Sequence, residues 1–444
     1  MPNIFKMNFS DLNLSAALLD AVNDIGFEHP TPIQHKAFSV IMSGRDVMGL
    51  AQTGTGKTLA YLLPLLRSWR FSKEKHPQIL ILVPTRELVI QVEEEAKELC
   101  KYMNCVVLGV YGGVNTKPQA VAVGNGCDVI VATPGRLMDL TLNGHLKLKG
   151  IKKFVIDEVD EMLNLGFRTQ LINVIDLLPA KRQNLMFSAT ITDMVNDIIE
   201  EYFNDPVRIE AAPVGSPLES IEQSAYLVPN FNTKINLIEF LLKDKVTFNK
   251  VLVFVSTKAM ADMVFEKLAL SFPDQIGVIH SNKDQNYRFN AVTAFKLGKY
   301  RALIATDIIA RGIDIDDVSH VVNFDMPEVA EHYIHRIGRT GRADRKGISI
   351  SFVAPSETEI MVAAEELMKY KIPRNEFPAE AVISDVLIED ELPKFKNKNI
   401  DVKISITGPA FHEKKAKNMK VNVKRERPTP KSKFNGKLRR GKRN

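Results

Sequence analysis

Eight consecutive residues, Ala51-Gln52-Thr53-Gly54-Thr55-Gly56-Lys57-Thr58, have the composition and spacing of a phosphate-binding loop. Glycines let the backbone turn tightly enough to aim successive N–H groups at phosphate oxygens, and Lys57 adds a mobile positive charge. Thr58 offers a hydroxyl to the magnesium that accompanies a nucleoside triphosphate. The apolar run Val47-Met48-Gly49-Leu50 precedes the loop and Leu59-Ala60-Tyr61-Leu62-Leu63 follows it, so a strand turns here into a helix whose N-terminal dipole favours anions. One hundred residues after Lys57, Asp157-Glu158-Val159-Asp160 closes another apolar run. Asp157 has the position of a carboxylate that holds magnesium through water, and its neighbour Glu158 can orient or deprotonate an attacking water. In His335-Arg336-Ile337-Gly338-Arg339-Thr340-Gly341-Arg342, three guanidinium forks suit phosphate oxygens, and the glycines predict a shaped loop over a helix surface. Gln34 follows two prolines in Pro30-Thr31-Pro32-Ile33-Gln34 and carries the donor and acceptor needed to read a nucleobase edge. Asp314, at the end of Thr306-Asp307-Ile308-Ile309-Ala310-Arg311-Gly312-Ile313-Asp314, can accept from ribose hydroxyls or from an arginine.

The elements that must hold these groups follow from the hydrophobic pattern. Continuous apolar runs alternate with helical segments: Ile79-Leu80-Ile81-Leu82-Val83, Val106-Val107-Leu108-Gly109-Val110, Asp128-Val129-Ile130-Val131-Ala132, Phe154-Val155-Ile156 and Leu185-Met186-Phe187, with one helix predicted from Glu87 to Met103. Uninterrupted apolar strands imply a mostly parallel sheet covered by helices on both faces. Ligands bind at the C-terminal ends of such strands. There the chain places Pro84-Thr85-Arg86-Glu87-Leu88, Gly112-Gly113, Thr133-Pro134-Gly135-Arg136, the acidic box and Ser188-Ala189-Thr190.

The pattern breaks at Ala211-Ala212-Pro213-Val214-Gly215-Ser216-Pro217 and restarts with Val251-Leu252-Val253-Phe254-Val255, Ile276-Gly277-Val278-Ile279, Ala302-Leu303-Ile304-Ala305, Val321-Val322-Asn323-Phe324 and Ile348-Ser349-Ile350-Ser351-Phe352. No second phosphate loop is present, so the second α/β domain is expected to complete the site of the first across a cleft. The expected organisation is a first domain over 1–210, a linker over 211–217, a second domain over 218–370, an extension over 371–411 and a basic disordered tail over 412–444.

With 444 residues, 45% of them hydrophobic, the chain can bury two or three cores. Cys100, Cys105 and Cys127 lack zinc-site spacing and give no disulfide framework, which fits the cytosol. No apolar run is long enough to span a membrane and no signal-peptide core follows Met1, so neither insertion nor export is expected. Residues 412–444 carry 14 Lys/Arg against 2 Asp/Glu, a net of +12, which leaves residues 1–411 at −6 within the total of +6. Such a tail is suited to nonspecific contact with phosphate backbones.

Over about residues 9–370 the chain, motif by motif, resembles the DEAD-box RNA helicases, most closely the bacterial class with a short basic C-terminal extension. The resemblance implies two tandem RecA-like domains with parallel sheets that bind ATP, magnesium and one RNA strand in a shared cleft; closure bends the strand and opens a short duplex locally. It implies that Phe27 and Gln34 read adenine, with Phe9 as an upstream aromatic near the base. Thr53, Gly54, Thr55, Gly56, Lys57 and Thr58 would cradle phosphates, Thr58 and Asp157 would face magnesium, and Glu158 would activate water. Ser188 and Thr190 would couple hydrolysis to unwinding, Asp314, Arg339 and Arg342 would be second-domain ATP contacts with the arginines as fingers, and His335 would be the coupling histidine. For RNA it points to Pro84, Thr85, Arg86, Gly113, Thr133, Pro134, Gly135 and Arg136, and in the second domain to Thr257, Gln285, Arg288, Thr306 and Asp307. Backbone and 2′-hydroxyl contacts of this kind prefer RNA with weak sequence selectivity.

One departure stands out: Val159 occupies the position where the family's box has alanine. A packing adjustment near Ser188-Ala189-Thr190 is expected, with the metal site intact. The expected activity is ATP-dependent local unwinding of short RNA duplexes or remodelling of RNA–protein complexes, ribosomal or messenger. Alternatives are a non-enzymatic, nucleotide-gated RNA clamp or chaperone and a DNA-acting translocase. The natural RNA and the oligomeric state are not encoded in these motifs.

Overall fold

The computed structural model describes residues 7–51, 55–74, 76–210, 221–307, 315, 318–341 and 346–392. The described residues up to Glu391 belong to one compact unit. Seven strands, β1 Val47–Leu50, β2 Ile79–Leu82, β3 Val107–Val110, β4 Val129–Ala132, β5 Lys153–Asp157, β6 Gln183–Ser188 and β7 Val207–Glu210, form one parallel sheet in the order β3-β4-β2-β5-β6-β1-β7. A second parallel sheet contains β8 Ile221–Leu227, β9 Val251–Val255, β10 Ile276–Ile279, β11 Ala302–Thr306, β12 His320–Asn323, β13 Gly347–Val353 and β14 Arg374–Asn375, in the order β10-β11-β9-β12-β13-β8-β14. Counted from its own first strand, each sheet has the same order: third, fourth, second, fifth, sixth, first, seventh.

The continuous apolar strands are buried on both faces, as their composition requires. Along β2, Ile79 and Ile81 enter one apolar cluster while Leu80 and Leu82 enter the cluster on the opposite face. Each such side chain contributes about 1.5–3 kcal/mol by leaving water. Helices begin and end where local chemistry dictates. Ser15 caps Ala16–Ile25 and Gly26, at φ 87°, stops it. Pro32 opens Pro32–Met42 at a position where its missing N–H is harmless.

Three departures from the sequence reading have physical causes. Strands β7 and β8 have no continuous apolar run; β8 alternates buried and more exposed residues because it lies near the sheet edge beside the two-residue β14. The helix expected from Glu87 to Met103 runs over Arg86–Leu99. The stretch expected as a loop at His335 is the end of a helix, Ala330–Ile337, which packs Tyr333 and Ile337 into an apolar cluster before Gly338 ends it.

The expected linker over 211–217 lies outside the described residues, as do 393–411 and the basic tail. The second sheet takes in Arg374–Asn375, beyond the expected limit at 370. The chain that follows is tied along the helix Phe231–Lys243: the Asn230, Asn232 and Asn236 side-chain amides donate to the carbonyls of Ser384, Val386 and Val382. All three cysteines are free thiols. Among the described residues no helix is long and apolar enough to cross a membrane.

Candidate active site

Residues after β1, β2, β4, β5 and β6 gather at the C-terminal end of the first sheet, where the motif residues lie. Gly56, at φ +84°, caps the helix Lys57–Ser68, and a Cβ there would collide with the Gln34 amide as well as strain the backbone. Gln34 is 3% exposed. Its Oε1 accepts from Thr31 N (2.9 Å) and its Nε2 donates to Gly56 O (3.2 Å). The amide expected to read a base therefore also braces the loop, and only its remaining hydrogen and lone pair are open to a ligand. The Lys57 ammonium is buried and has no hydrogen-bond partner among the described residues. Thr53 and Gly54 lie outside those residues. Phe27 is half-exposed, whereas Phe9 is 3% exposed within the apolar core beneath it. The expectation that Phe9 stacks near a base is corrected: the side chain is a core residue with no open face.

Three carboxylates surround Lys57. At the end of β5, Asp157 Oδ1 accepts from Glu158 N (3.0 Å) and Oδ2 from the Tyr61 hydroxyl (2.9 Å). Burial pushes the Asp157 carboxyl up, against the pull of Lys57 and Tyr61. Tyr61 is fully buried one turn after Thr58, whose hydroxyl also reaches the phenol. Glu158 adopts the left-handed region (φ 52°), which costs a non-glycine residue on the order of 1 kcal/mol. Burial raises its carboxyl to about 7, while Lys57 and Arg339 oppose the rise. Asp160 accepts from Thr190 N (2.9 Å), the Thr190 hydroxyl (2.8 Å) and Glu161 N (3.1 Å). Burial would raise its carboxyl, but His335, Lys57 and the Thr190 and Ser188 hydroxyls hold it below the usual range. Ser188 donates to Thr190 O (2.7 Å). Val159 is fully buried among Met162, Met186 and Ile198.

Groups from the second sheet reach this cluster. His335 Nε2 stands 3.9 Å from Asp160 Oδ2, both side chains nearly inaccessible. Arg339 follows the same helix and is close enough to act on Glu158. Arg336 does not join them. It forms a bidentate pair with Asp307 (2.6 and 2.7 Å), donates to Asp325 O and lies over the Phe254 ring. The expectation of a phosphate-facing fork at Arg336 is corrected, because the fork is fully engaged inside the second sheet. Asp307 is likewise held as its partner. Asp314 and Arg342 lie outside the described residues.

The residues expected to hold RNA share one rim. Thr85 and Thr133 stand at the N-termini of Arg86–Leu99 and Pro134–Leu142, and Gly113, at φ +78°, comes so close to Arg86 that a Cβ would strike the guanidinium. Pro84 and Gly135 flank these helix starts. Arg136 is buried and braces the loop after β3, its two terminal nitrogens donating to Gln119 Oε1 and Val114 O (both 2.8 Å). On the second sheet, Thr306 ends β11 and Thr257 caps the helix Lys258–Ser271. Gln285 and Arg288 open the helix Gln285–Lys296. They meet a residue that sequence reasoning gave no role: Glu87 Oε1 lies 2.7 Å from Arg288 and 3.8 Å from Arg86, and accepts from Gln285 at 3.5 Å. Tyr61 is the second such omission, and its one sequence signal was the three-residue step from Thr58.

Comparison with known proteins agrees with this arrangement. A model of the DEAD/DEAH box helicase family matches residues 31–198, and a helicase conserved C-terminal domain model matches 233–344. The chain is 38% identical to the ATP-dependent RNA helicase RhlB of Pseudomonas syringae pv. tomato, over 84% of this chain and 95% of that protein. It is 38% identical to the DEAD-box ATP-dependent RNA helicase RhpA of Helicobacter pylori, over 84% and 75%. The structure of S. cerevisiae Dbp5 bound to RNA and ADP BeF3 superposes with a TM-score of 0.75 at 31% identity, covering 83% of this chain and 95% of that one. The two sheets are thus tandem RecA-like domains.

Proposed function

The chain belongs to the DEAD-box RNA helicases and is an ATP-dependent RNA helicase, and from that premise we propose how its residues divide the work. The observation that carries the assignment is the buried Lys57 ammonium, which acts on Asp157, Glu158 and Asp160 yet makes no hydrogen bond among the described residues. A buried ammonium that makes no hydrogen bond is unfavourable, and the phosphate oxygens of ATP supply the missing acceptors. Thr58 and Asp157 form a hard oxygen donor set that fits magnesium, which when bound neutralises charge developing on the phosphates. Glu158 takes the proton of the attacking water, its carboxyl raised into the range where a base works near neutral pH. Arg339 presents its guanidinium to the phosphate being transferred, and Arg342 and Asp314 extend the same set. Gln34 and Phe27 hold the base.

Asp160, Thr190 and His335 link the nucleotide to closure of the two domains, because both Thr190 hydrogen bonds to Asp160 depend on the position of the loop after β6 and His335 comes from the second domain. RNA lies along the rim from Thr85 to Thr133 and from Thr257 to Thr306, contacted through its backbone, so unwinding is local and weakly selective. Remodelling of ribosomal or messenger ribonucleoprotein in the cytoplasm follows from that breadth, and the three free thiols fit a reducing compartment. Steady-state ATP hydrolysis with single-stranded RNA, matched DNA or neither tests the reading. Stimulation by RNA alone is expected; equal stimulation by DNA overturns the RNA assignment, and an absence of hydrolysis in every condition overturns the catalytic one.

A further inference from the structure

A pocket of about 820 Å³ opens at the opposite end of the first sheet from the nucleotide site. It lies beneath the starts of β2, β5 and β6, and the four residue steps from Lys153 to Asp157 along β5 put it about 13 Å from the acidic box. Its wall carries Lys149, Lys152, Lys153, Lys181, Arg182 and His76; among the described lining residues Glu74 is the single carboxylate. Among the described residues these lysines have no ion-pair partner. Lys152 donates to Gln78 Oε1 (3.0 Å) and Lys153 to Gln183 Oε1, both uncharged acceptors.

Those two glutamines are themselves fixed. Gln78 Nε2 donates to Arg70 O (2.9 Å) and Gln183 Nε2 to Ile41 O (3.1 Å), so each buried amide holds a lysine at the rim without cancelling its charge. Arg182 is anchored by Asn184 and Pro179 (both 2.8 Å), with Asp46 and Asp176 acting on it; the lysines are therefore the charges left to a ligand. Burial lowers the Lys153 ammonium from its ordinary value, an expense that an arriving anion offsets.

We propose that this pocket is a second anion site, which takes consecutive phosphates of an RNA strand or of a free polyphosphate. Several ammonium point charges around an open cavity recognise phosphate without reading a base, and the domain already holds RNA at the other end of the same strands. Simultaneous occupation lets one RNA strand grip both ends of the first domain.

The test uses the full chain with Lys149, Lys152 and Lys181, all exposed, changed together to Gln, and a matching Lys→Arg variant. Binding of a long and a short single-stranded RNA is measured against salt, and binding of inorganic tripolyphosphate is measured with the nucleotide site filled by magnesium ADP. For the RNA source, the Gln variant loses about 2 units of salt slope on long RNA, from ~0.7 per phosphate contact. Short RNA, RNA-stimulated hydrolysis and the Arg variant stay unchanged. For a free polyphosphate, RNA slopes are equal and tripolyphosphate affinity falls at least about tenfold. If the Gln variant does not fold, selective thermal stabilisation of the unmodified ADP-bound chain by tripolyphosphate over sulfate at equal ionic strength is the supporting result, and its absence the opposing one. Unchanged slopes and unchanged tripolyphosphate binding overturn the proposal. Loss of polyglutamate binding alone overturns it in favour of an acidic peptide.

Discussion

The Tyr61 hydroxyl sets the orientation of the carboxylate proposed to face magnesium, and Tyr61→Phe removes that hydroxyl alone. Both ends of the 2.9 Å bond are buried, with Tyr61 at 0% and Asp157 at 6% exposure. A hydrogen bond to a charged group contributes about 1.5–3 kcal/mol, so the variant is predicted to lose roughly that much global stability. Not all of it reaches the metal. Glu158 N still holds Asp157 Oδ1, so one of two restraints on the carboxylate survives. We predict that about 0.7–1.4 kcal/mol appears as weaker magnesium binding, a ~3–10-fold rise in the magnesium concentration that half-saturates nucleotide affinity. The assay is titration of magnesium against a fluorescent ADP analogue, with a parallel measurement in EDTA. Affinity in EDTA stays the same. If half-saturation is unchanged or falls while stability drops as predicted, Tyr61 only relieves the burial of Asp157 and the orientation argument fails.

Glu158→Gln keeps the shape and removes the base, so hydrolysis should fall ~10²–10⁴-fold with ATP affinity nearly retained; unaltered turnover would falsify the assigned role. Val159→Ala removes two fully buried carbons and should cost about 2 kcal/mol in denaturant titration with ATP affinity nearly unchanged, and a large loss of ATP binding is the contrary outcome. His320 packs 4.2 Å from the Phe248 ring, and burial lowers its pKa to about 4, below the unfolded value near 6.5. A lowered histidine adds stability that is full above the unfolded value and lost as pH falls toward the folded one, so the drop from about pH 7 to about pH 5 should be ~2 kcal/mol smaller in His320→Gln; equal drops reject this.

The chemistry-bearing loops were legible because each followed a strand buried on both faces, whose apolar run ended in polar residues. Asp157 shows the rule: the run Phe154-Val155-Ile156 fixes the strand and the acid marks its end. Strand β7, at its sheet edge, and β8, next to the two-residue edge strand β14, escaped because their buried and more exposed residues alternate and give no continuous run. The helix under His335 was hidden by the glycines after it, although its own residues pack Tyr333 and Ile337 inward. Phe9 misled because an aromatic beside a binding motif gives no sign of which way it packs. Glu87 and Tyr61 were not legible as partners: their partners lie 198 and 96 residues away, at Gln285 and Asp157, and the three-residue step from Thr58 to Tyr61 says nothing of Asp157.

The duplicated topology also explains why one nucleotide serves two domains. Both sheets place a helix directly after their first strand, and a helix N-terminus there attracts an anion. In the first sheet that helix begins with Gly56 and Lys57, and among the described residues the ammonium makes no hydrogen bond. In the second sheet the equivalent helix, Phe231–Lys243, meets the chain's own carboxylate, since Phe231 N donates to Glu391 Oε1 at 2.6 Å. Its lysine is answered as well: Lys234 pairs with Asp325 (3.0 Å) and Glu357 (2.9 Å). Internal acids thus hydrogen-bond the helix start and lysine of the second domain, where in the first the proposed phosphate would do so. The second domain is left to act through the C-terminal rim of its sheet, where His335 lies 3.9 Å from Asp160 and Arg339 acts on Glu158, so under the proposed mechanism nucleotide turnover requires that rim to be in place.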